Sequence, residues 1–131
     1  MRDPDWELDG WELDNGEEYH ANAPKTFWIP SREERDNLKP GDFVKLIFRI
    51  CLDSETDPVA VERMWVLVRG KLGETYFGLL DNEPDALAEN DEFWAGTELP
   101  FRAEHVIDIT PADEESIDFA RLPPRRPWPR D

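Results

Sequence analysis

A group of carboxylates between residues 81 and 92 has a spacing that could bind calcium. Counted from Asp81 as position 1, acidic side chains occupy positions 1, 3, 5, 9 and 12, which resembles the oxygen-ligand spacing of an EF-hand loop. The candidate ligands are Asp81, Glu83, Asp85 and Glu92. However, Ala86 occupies the position where such a loop needs glycine, and Pro84 interrupts the loop. We therefore predict an ordinary turn, in which Asp81 and Asn82 bond their own backbone, with no bound metal or cofactor.

Arg63 is the basic residue best placed in the sequence to orient this turn. It follows Glu62 at the start of the apolar segment ERMWVLV, and its guanidinium could pair with a neighbouring carboxylate or with Asp81. The predicted polar cluster consists of Arg63, Asp81, Asn82 and Glu83. Structural pairing is the favoured role for Arg63, and ligand binding is the alternative.

Side chains suited to nucleophilic or metal-dependent catalysis are sparse. Cys51 is the only cysteine, so no internal disulfide can form, and its place at the end of an apolar run predicts that it packs as a small hydrophobe. His20 and His105 are the only histidines, and neither has a Cys or His at metal-ligand spacing. The sequence also lacks a Ser-His-Asp order and a glycine-rich phosphate loop. We expect a protein that is not an enzyme.

The charge of the chain restricts its partners. The 131 residues include 15 Lys and Arg against 31 Asp and Glu, a net charge of -16. Such a field repels phosphate backbones and anionic lipids and attracts basic proteins or other cations. We therefore expect neither nucleic-acid nor membrane binding. The acidic N-terminus does not look like a signal peptide, which predicts a cytoplasmic location.

The N-terminus contains a repeated phrase, WELDG followed by WELDNG, from Trp6 to Gly16. A two-residue turn at Asp9-Gly10 would make a hairpin in which the apolar side chains share one face. That face would either cover the domain or a dimer partner, or form a free recognition segment. The predicted interface candidates are Trp6, Leu8, Trp11, Leu13, Trp28 and Trp94.

The rest of the chain predicts a small β-rich domain. Ser31 and Glu34 form a capping box for a helix from Arg32 to about Leu38. Three alternating segments, at 43–50, 62–70 and 75–80, predict an antiparallel meander. A second helix is expected from Pro111 to about Ala120. We divide the chain into an acidic, Trp-rich hairpin or arm (1–19), a single β-rich domain (20–120) and a basic, proline-rich tail (121–131).

Two alternatives remain for the tail RLPPRRPWPRD. It is either disordered or contacts the acidic body through its arginines, with Trp128 packed against the domain. These arginines are Arg121, Arg125, Arg126 and Arg130.

Several phrases together resemble a known family. They are KPGDFVKLIF from Lys39, ERMWV from Glu62 and LDNEP from Leu80, within a region from His20 to Ile109. This region is similar to a widespread bacterial domain family of unknown function, number 2314 in that series. The resemblance implies a compact β-rich domain with a strongly bent sheet and supplies no catalytic residues. The expected fold is therefore α+β, a small bent antiparallel sheet of SH3-like or half-barrel form with two short flanking helices.

Charge, aromatic residues and the scarcity of reactive groups favour a non-catalytic interaction module. We predict that it binds a basic protein partner as a monomer or homodimer, and the most concrete version is an immunity protein that neutralises a toxin. The alternative is a metal-dependent or small-ligand-binding module that uses the turn from Asp81 to Asp85.

Overall fold

The computed structural model describes residues 1–52, 56, 58–81 and 96–130. In these ranges the chain forms six strands, four short α-helices and one 3-10 turn. The strands are β1 (Trp11–Leu13), β2 (Phe43–Cys51), β3 (Val59–Leu72), β4 (Thr75–Leu80), β5 (Glu98–Phe101) and β6 (Asp108–Thr110). The helices are α1 (Trp6–Asp9), α2 (Gly16–Asn22), α3 (Arg32–Asp36) and α4 (Glu114–Ala120), and the 3-10 turn spans Ala103–His105.

The strands form one curled antiparallel sheet in the order β1-β2-β3-β4-β5. β3 pairs along the whole of one edge of β2, while β1 and β6 share the other edge, β1 at 48–50 and β6 at 43–45. The predicted α+β class, with a bent half-barrel sheet, is confirmed. The described residues contain four short helices where two were predicted.

Glycines in β3 and β4 allow the sheet to curl. The pairing register shifts between Val68 and Gly70, which is a bulge that increases the local twist. The absent side chain of Gly70 leaves room for the ring of Phe77, whose Cζ would lie 2.7 Å from an added Cβ. Gly78 is more constrained, since an added Cβ would lie 2.4 Å from the Leu67 carbonyl oxygen.

The core fills the concave face of this sheet. Alternate residues of β2 and β3 point into it, as their sequence pattern predicts. Tyr76 stacks on Phe101 with ring centroids 5.3 Å apart, and Trp11 contacts Phe48 at 5.8 Å. The core residues on the two long strands are Val44, Leu46, Phe48, Ile50, Met64, Val66 and Val68.

The two copies of the N-terminal phrase fold differently, so the predicted hairpin is wrong. The first copy is the single turn α1, because the Asp5 side chain accepts hydrogen bonds from the amides of Glu7 and Leu8. Gly10 ends it with φ 75°. The second copy is β1, which pairs with β2 and not with the first copy. Pairing with β2 buries the side chain of Trp11, whereas the hairpin would be marginal alone.

The C-terminal tail packs onto the domain and meets the N-terminus there. Trp128 is buried against Trp11 with ring centroids 5.6 Å apart, and its Nε1 donates to the Arg2 carbonyl oxygen at 2.9 Å. The Arg2 guanidinium lies over the Trp128 ring at 4.5 Å. The tail also runs along the edge of β5, where the Glu98 amide donates to the Arg126 carbonyl oxygen at 2.9 Å. Both ends of the chain therefore contribute to the core.

Candidate functional site

Helix α4 lies across the convex face of the sheet, and three contacts position it. Gly41 lies just before β2 and has a φ of +97°. Because it has no side chain, the backbone there can approach Ile117 of α4 closely. An Asp42 carboxylate oxygen accepts from the Ala112 amide at 2.9 Å, just before the helix. Arg69 donates from Nε to the Ala120 carbonyl oxygen at 3.1 Å, at the end of the helix. These contacts hold α4 at both ends.

Replacing Gly41 with alanine should loosen this anchor. An added Cβ would lie 2.7 Å from Ile117 Cγ1, and the positive φ is also unfavourable for alanine, so we expect a loss of more than 1–2 kcal/mol, roughly the cost of the left-handed conformation alone. Gly73→Ala is the matched control, because Gly73 also has a positive φ but has open space around it. Urea denaturation measures both variants. Equal losses would contradict a close contact at Gly41.

An apolar groove lies between α4 and the convex face of the sheet. Its floor is a row of three side chains on adjacent strands, in which Leu67 is paired with Phe43 on one side and with Leu79 on the other. Its wall consists of Phe119, Leu122 and Pro123. The groove has a volume of about 260 Å³.

Two residues of the groove wall are half-exposed. Phe119 is 51% exposed and Leu122 is 52% exposed, so completing the burial of each would gain roughly half of the 1.5–3 kcal/mol that a whole side chain gains. Concave apolar surfaces of this kind are typical of binding sites. The groove is thus the strongest candidate binding surface in the described part of the chain.

Carboxylates flank the groove. Asp81 lines one end, and desolvation by burial raises the pKa of its side chain. Glu115 is exposed and lies one helical turn before Phe119, so the two share a face of α4. Asp118 is also exposed and forms a long ion pair with Arg121, at 3.8 Å. The rim can therefore attract a cation.

A second, polar cleft of about 360 Å³ lies beside α2. Asp14 is at its centre, where it accepts from the Tyr19 hydroxyl and from Arg49 Nε, both at 2.6 Å. The hydrogen bond to Asp14 raises the pKa of Tyr19, and the same carboxylate raises the pKa of Arg49. Since these groups bond one another, the cluster joins α2 to β2 and is best described as structural.

The structure separates the predicted interface residues. Trp11 is buried and Leu13 packs against the core, so neither can serve as a surface anchor. The reason is that β1 joins the sheet and turns these side chains inward. Leu8 is 74% exposed, Trp28 is 68% exposed, and Trp6 is half-buried. Trp94 lies outside the described residues.

Arg63 and Asp81 are the described members of the predicted polar cluster, and they form no ion pair with each other. The Arg63 guanidinium lies over the Phe27 ring at 5.3 Å. The reason is the register, since Arg63 is opposite Ile47 while the Asp81 amide bonds the Trp65 carbonyl oxygen. The remaining predicted cluster and metal residues, Asn82, Glu83, Asp85 and Glu92, lie outside the described residues. The described part of the chain contains no group of three side chains suited to a metal ion.

The predicted environment of Cys51 is wrong, because this side chain is exposed. Ile50 points into the core, so the alternation of β2 turns Cys51 outward. His20 donates from Nδ1 to the Phe27 carbonyl oxygen at 2.7 Å. His105 accepts at Nδ1 from the Arg102 amide at 2.9 Å, and burial lowers its pKa. Both imidazoles hold local backbone structure.

Sequence reasoning missed the residues that form the groove wall. Phe119 is in the last turn of α4 and Leu122 lies two residues beyond its end, and apolar residues three positions apart normally indicate a core-facing side. The acidic residues on the same helix were the one sequence feature that could have indicated an exposed binding surface there. Only the placement of α4 shows that these two side chains remain exposed.

Comparisons with protein-family models, curated proteins and solved structures found no match to the chain, so the bacterial family resemblance remains a prediction. None of the helices in the described ranges has the length and apolarity needed to cross a membrane.

Proposed function

We propose that the chain is a non-catalytic module that binds a basic protein. The observation that carries this proposal is the placement of its positive charges. Among the described residues, eight arginines form ion pairs, several of them with buried or half-buried carboxylates. They are Arg2, Arg32, Arg35, Arg49, Arg69, Arg102, Arg121 and Arg130. Each pair cancels one positive and one negative charge, so the net charge of -16 remains to act outside the molecule.

The excess of carboxylates therefore acts on the surroundings of the protein. Exposed acidic side chains cluster on two short helices. They are Glu33, Glu34 and Asp36 on α3, and Glu114 and Glu115 on α4. A net charge of -16 accelerates encounters with a cationic surface and discourages anionic partners. Exposed Leu8, Trp28, Phe119 and Leu122 supply apolar area for a stable complex.

Affinity capture from the native host tests this function. We expect the immobilised chain to retain a basic protein at low and moderate salt. With that protein purified, the association rate constant should fall steeply as ionic strength rises, because steering is screened over about 8–10 Å. A control bait in which the exposed residues Glu33, Glu114 and Glu115 are changed to glutamine should associate more slowly at low salt and equally fast at high salt. Capture of no basic protein, or a rate independent of salt, would refute the proposal.

The more specific version is that the partner is a toxin. Its support is the same field, since a strongly acidic protein can cover a cationic active surface at near-diffusional rates. Co-expression with the captured partner should then relieve growth inhibition by that partner. A partner that does not inhibit growth would remove this version and leave the binding function intact.

A further inference from the structure

The groove beneath α4 has a composition that specifies its occupant. Three aligned apolar side chains form its floor, and two half-exposed ones, Phe119 and Leu122, form its wall. An apolar side chain inserted here would cover the exposed parts of Phe43, Leu79, Phe119 and Leu122, while Leu67 between them is already buried. The binding energy would therefore depend on one or two buried anchors, as at other protein interfaces.

The size of the groove limits what can enter it. At about 260 Å³ it lies just below the usual range of small-molecule sites, roughly 300–1,000 Å³, and far below that needed for a packed helix. One or two large side chains of a partner fit this volume. A whole helix or a large cofactor does not.

The charge at the groove favours particular residues of the partner on either side of its inserted apolar side chain. Asp81 lines one end of the groove, and Glu115 and Asp118 are exposed on α4, the helix that carries Phe119 of the wall. Lysine or arginine beside the anchor would offset the desolvation of Asp81, whereas an acidic neighbour would be repelled.

The groove is also held in shape before any partner arrives. Gly41, Asp42 and Arg69 fix α4 at both ends, and the floor is part of the paired sheet. A preformed site loses less conformational freedom on binding. The half-exposed wall is thus available to a partner without rearrangement of the backbone.

We infer that this groove is the docking site for the basic partner, and that the partner inserts a segment with one or two large apolar side chains flanked by lysine or arginine. This inference rests on the proposed function and assigns its contact surface. The partner's apolar anchor would contact Phe119, Leu122 and Leu67, and its cations would lie near Asp81 and Glu115.

Fluorescence anisotropy with three capped peptides tests the inferred chemistry. The probe is Lys-Lys-Leu-Phe-Lys-Lys, and the controls are Lys-Lys-Ser-Ser-Lys-Lys, which keeps the charge, and Gln-Gln-Leu-Phe-Gln-Gln, which keeps the apolar pair. We expect each control to bind at least about tenfold more weakly than the probe. Equal binding of the probe and the serine peptide would mean that only nonspecific charge is involved, which overturns the inference.

Variants of the full chain locate the binding. Phe119→Ala and Leu122→Ala should each weaken probe binding by about tenfold, whereas Leu8→Ala, which removes a still more exposed apolar side chain elsewhere, should leave it within about twofold. Asp81→Asn should weaken binding of the lysine probe and not of the glutamine control. Unchanged binding by all of the groove variants would place the site elsewhere and overturn the inference.

Two further outcomes identify other occupants. Concentration-dependent dimerisation in analytical ultracentrifugation that Phe119→Ala abolishes would mean that a second copy fills the groove. Large losses of thermal stability in Phe119→Ala, with no probe binding to the unmodified chain, would mean that the chain fills its own groove. Either result refutes docking of a basic partner at this site.

The same variants separate this inference from the proposed function. If the captured basic partner binds Phe119→Ala and the unmodified chain equally well, the function stands and the groove assignment fails. If the probe binds through the groove but no basic partner is captured, the groove chemistry stands and the proposed function fails.

Discussion

Replacing Trp11 with alanine is expected to lower the free energy of unfolding by about 3–5 kcal/mol, the range for deleting a buried large aromatic side chain. Trp11 is 2% exposed and contacts Phe48 and Trp128 at 5.8 and 5.6 Å between ring centroids. The loss would leave a cavity between β1, β2 and the tail. Urea denaturation, monitored by circular dichroism, gives the difference.

Trp6→Ala is the matched control, because Trp6 occupies the same place in the first copy of the phrase WELD. Trp6 lies on α1, which has no buried residue, so we expect a loss of no more than about 1 kcal/mol. Deletion of residues 1–16 should likewise lower the melting temperature strongly, because it removes β1. Similar losses in Trp6→Ala and Trp11→Ala would contradict the different roles of the two copies.

Replacing Glu98 with glutamine should also lower the free energy of unfolding, because this carboxylate is completely buried and paired. Arg69 and Arg130 contact it at 2.6 and 2.7 Å, and the Trp128 amide donates to it at 3.0 Å. Glutamine removes the charge that both arginines pair with, but Arg69 is 18% exposed and Arg130 is 45% exposed, so water can hydrate them and we expect a loss of about 1.5–3 kcal/mol. Asp118→Asn, which breaks an exposed pair, should cost less than about 1 kcal/mol. Thermal and urea denaturation compare the two variants.

The free energy of unfolding measured at decreasing pH gives a second test of Glu98→Gln. Burial by itself would raise the pKa of Glu98, but hydrogen bonds from Arg130, the Trp128 amide and Arg69 outweigh it, so the pKa lies below its ordinary value of 4.5. The ionised side chain therefore contributes its full stability above that value and loses it as pH falls through the folded-state pKa. The difference between the unmodified chain and Glu98→Gln should shrink over this range. A difference that is constant with pH would contradict the role of the charge.

Local patterns in the sequence determined most of the regular elements. The alternation from Phe43 predicted β2, and the segment Thr75–Leu80 was predicted with the bounds that β4 has. The capping box of Ser31 and Glu34 was also correct, although α3 ends at Asp36 and not near Leu38. These signals lie within a few residues of one another, so the chain carries them without reference to its fold.

Elements that depend on a single capping side chain were predicted less well. Helix α4 begins at Glu114 and not at Pro111, because Asp113 provides the capping box with Ser116. Helix α2, which was not predicted from the sequence, begins at Gly16, where the Asn15 side chain accepts from the Glu18 amide.

The sequence by itself therefore determined the antiparallel strands and the anionic character of this protein, whereas the bend of the sheet was expected only from the family resemblance. Only the tertiary structure decided which of two identical WELD phrases is buried, how the tail pairs with Glu98, and that α4 leaves Phe119 and Leu122 exposed beside a groove. The physical reason is the separation along the chain of the residues that interact. Hydrogen-bond periodicity and capping act over a few residues, whereas burial of Trp11 by Trp128 joins opposite ends of the chain and is fixed only when the sheet closes.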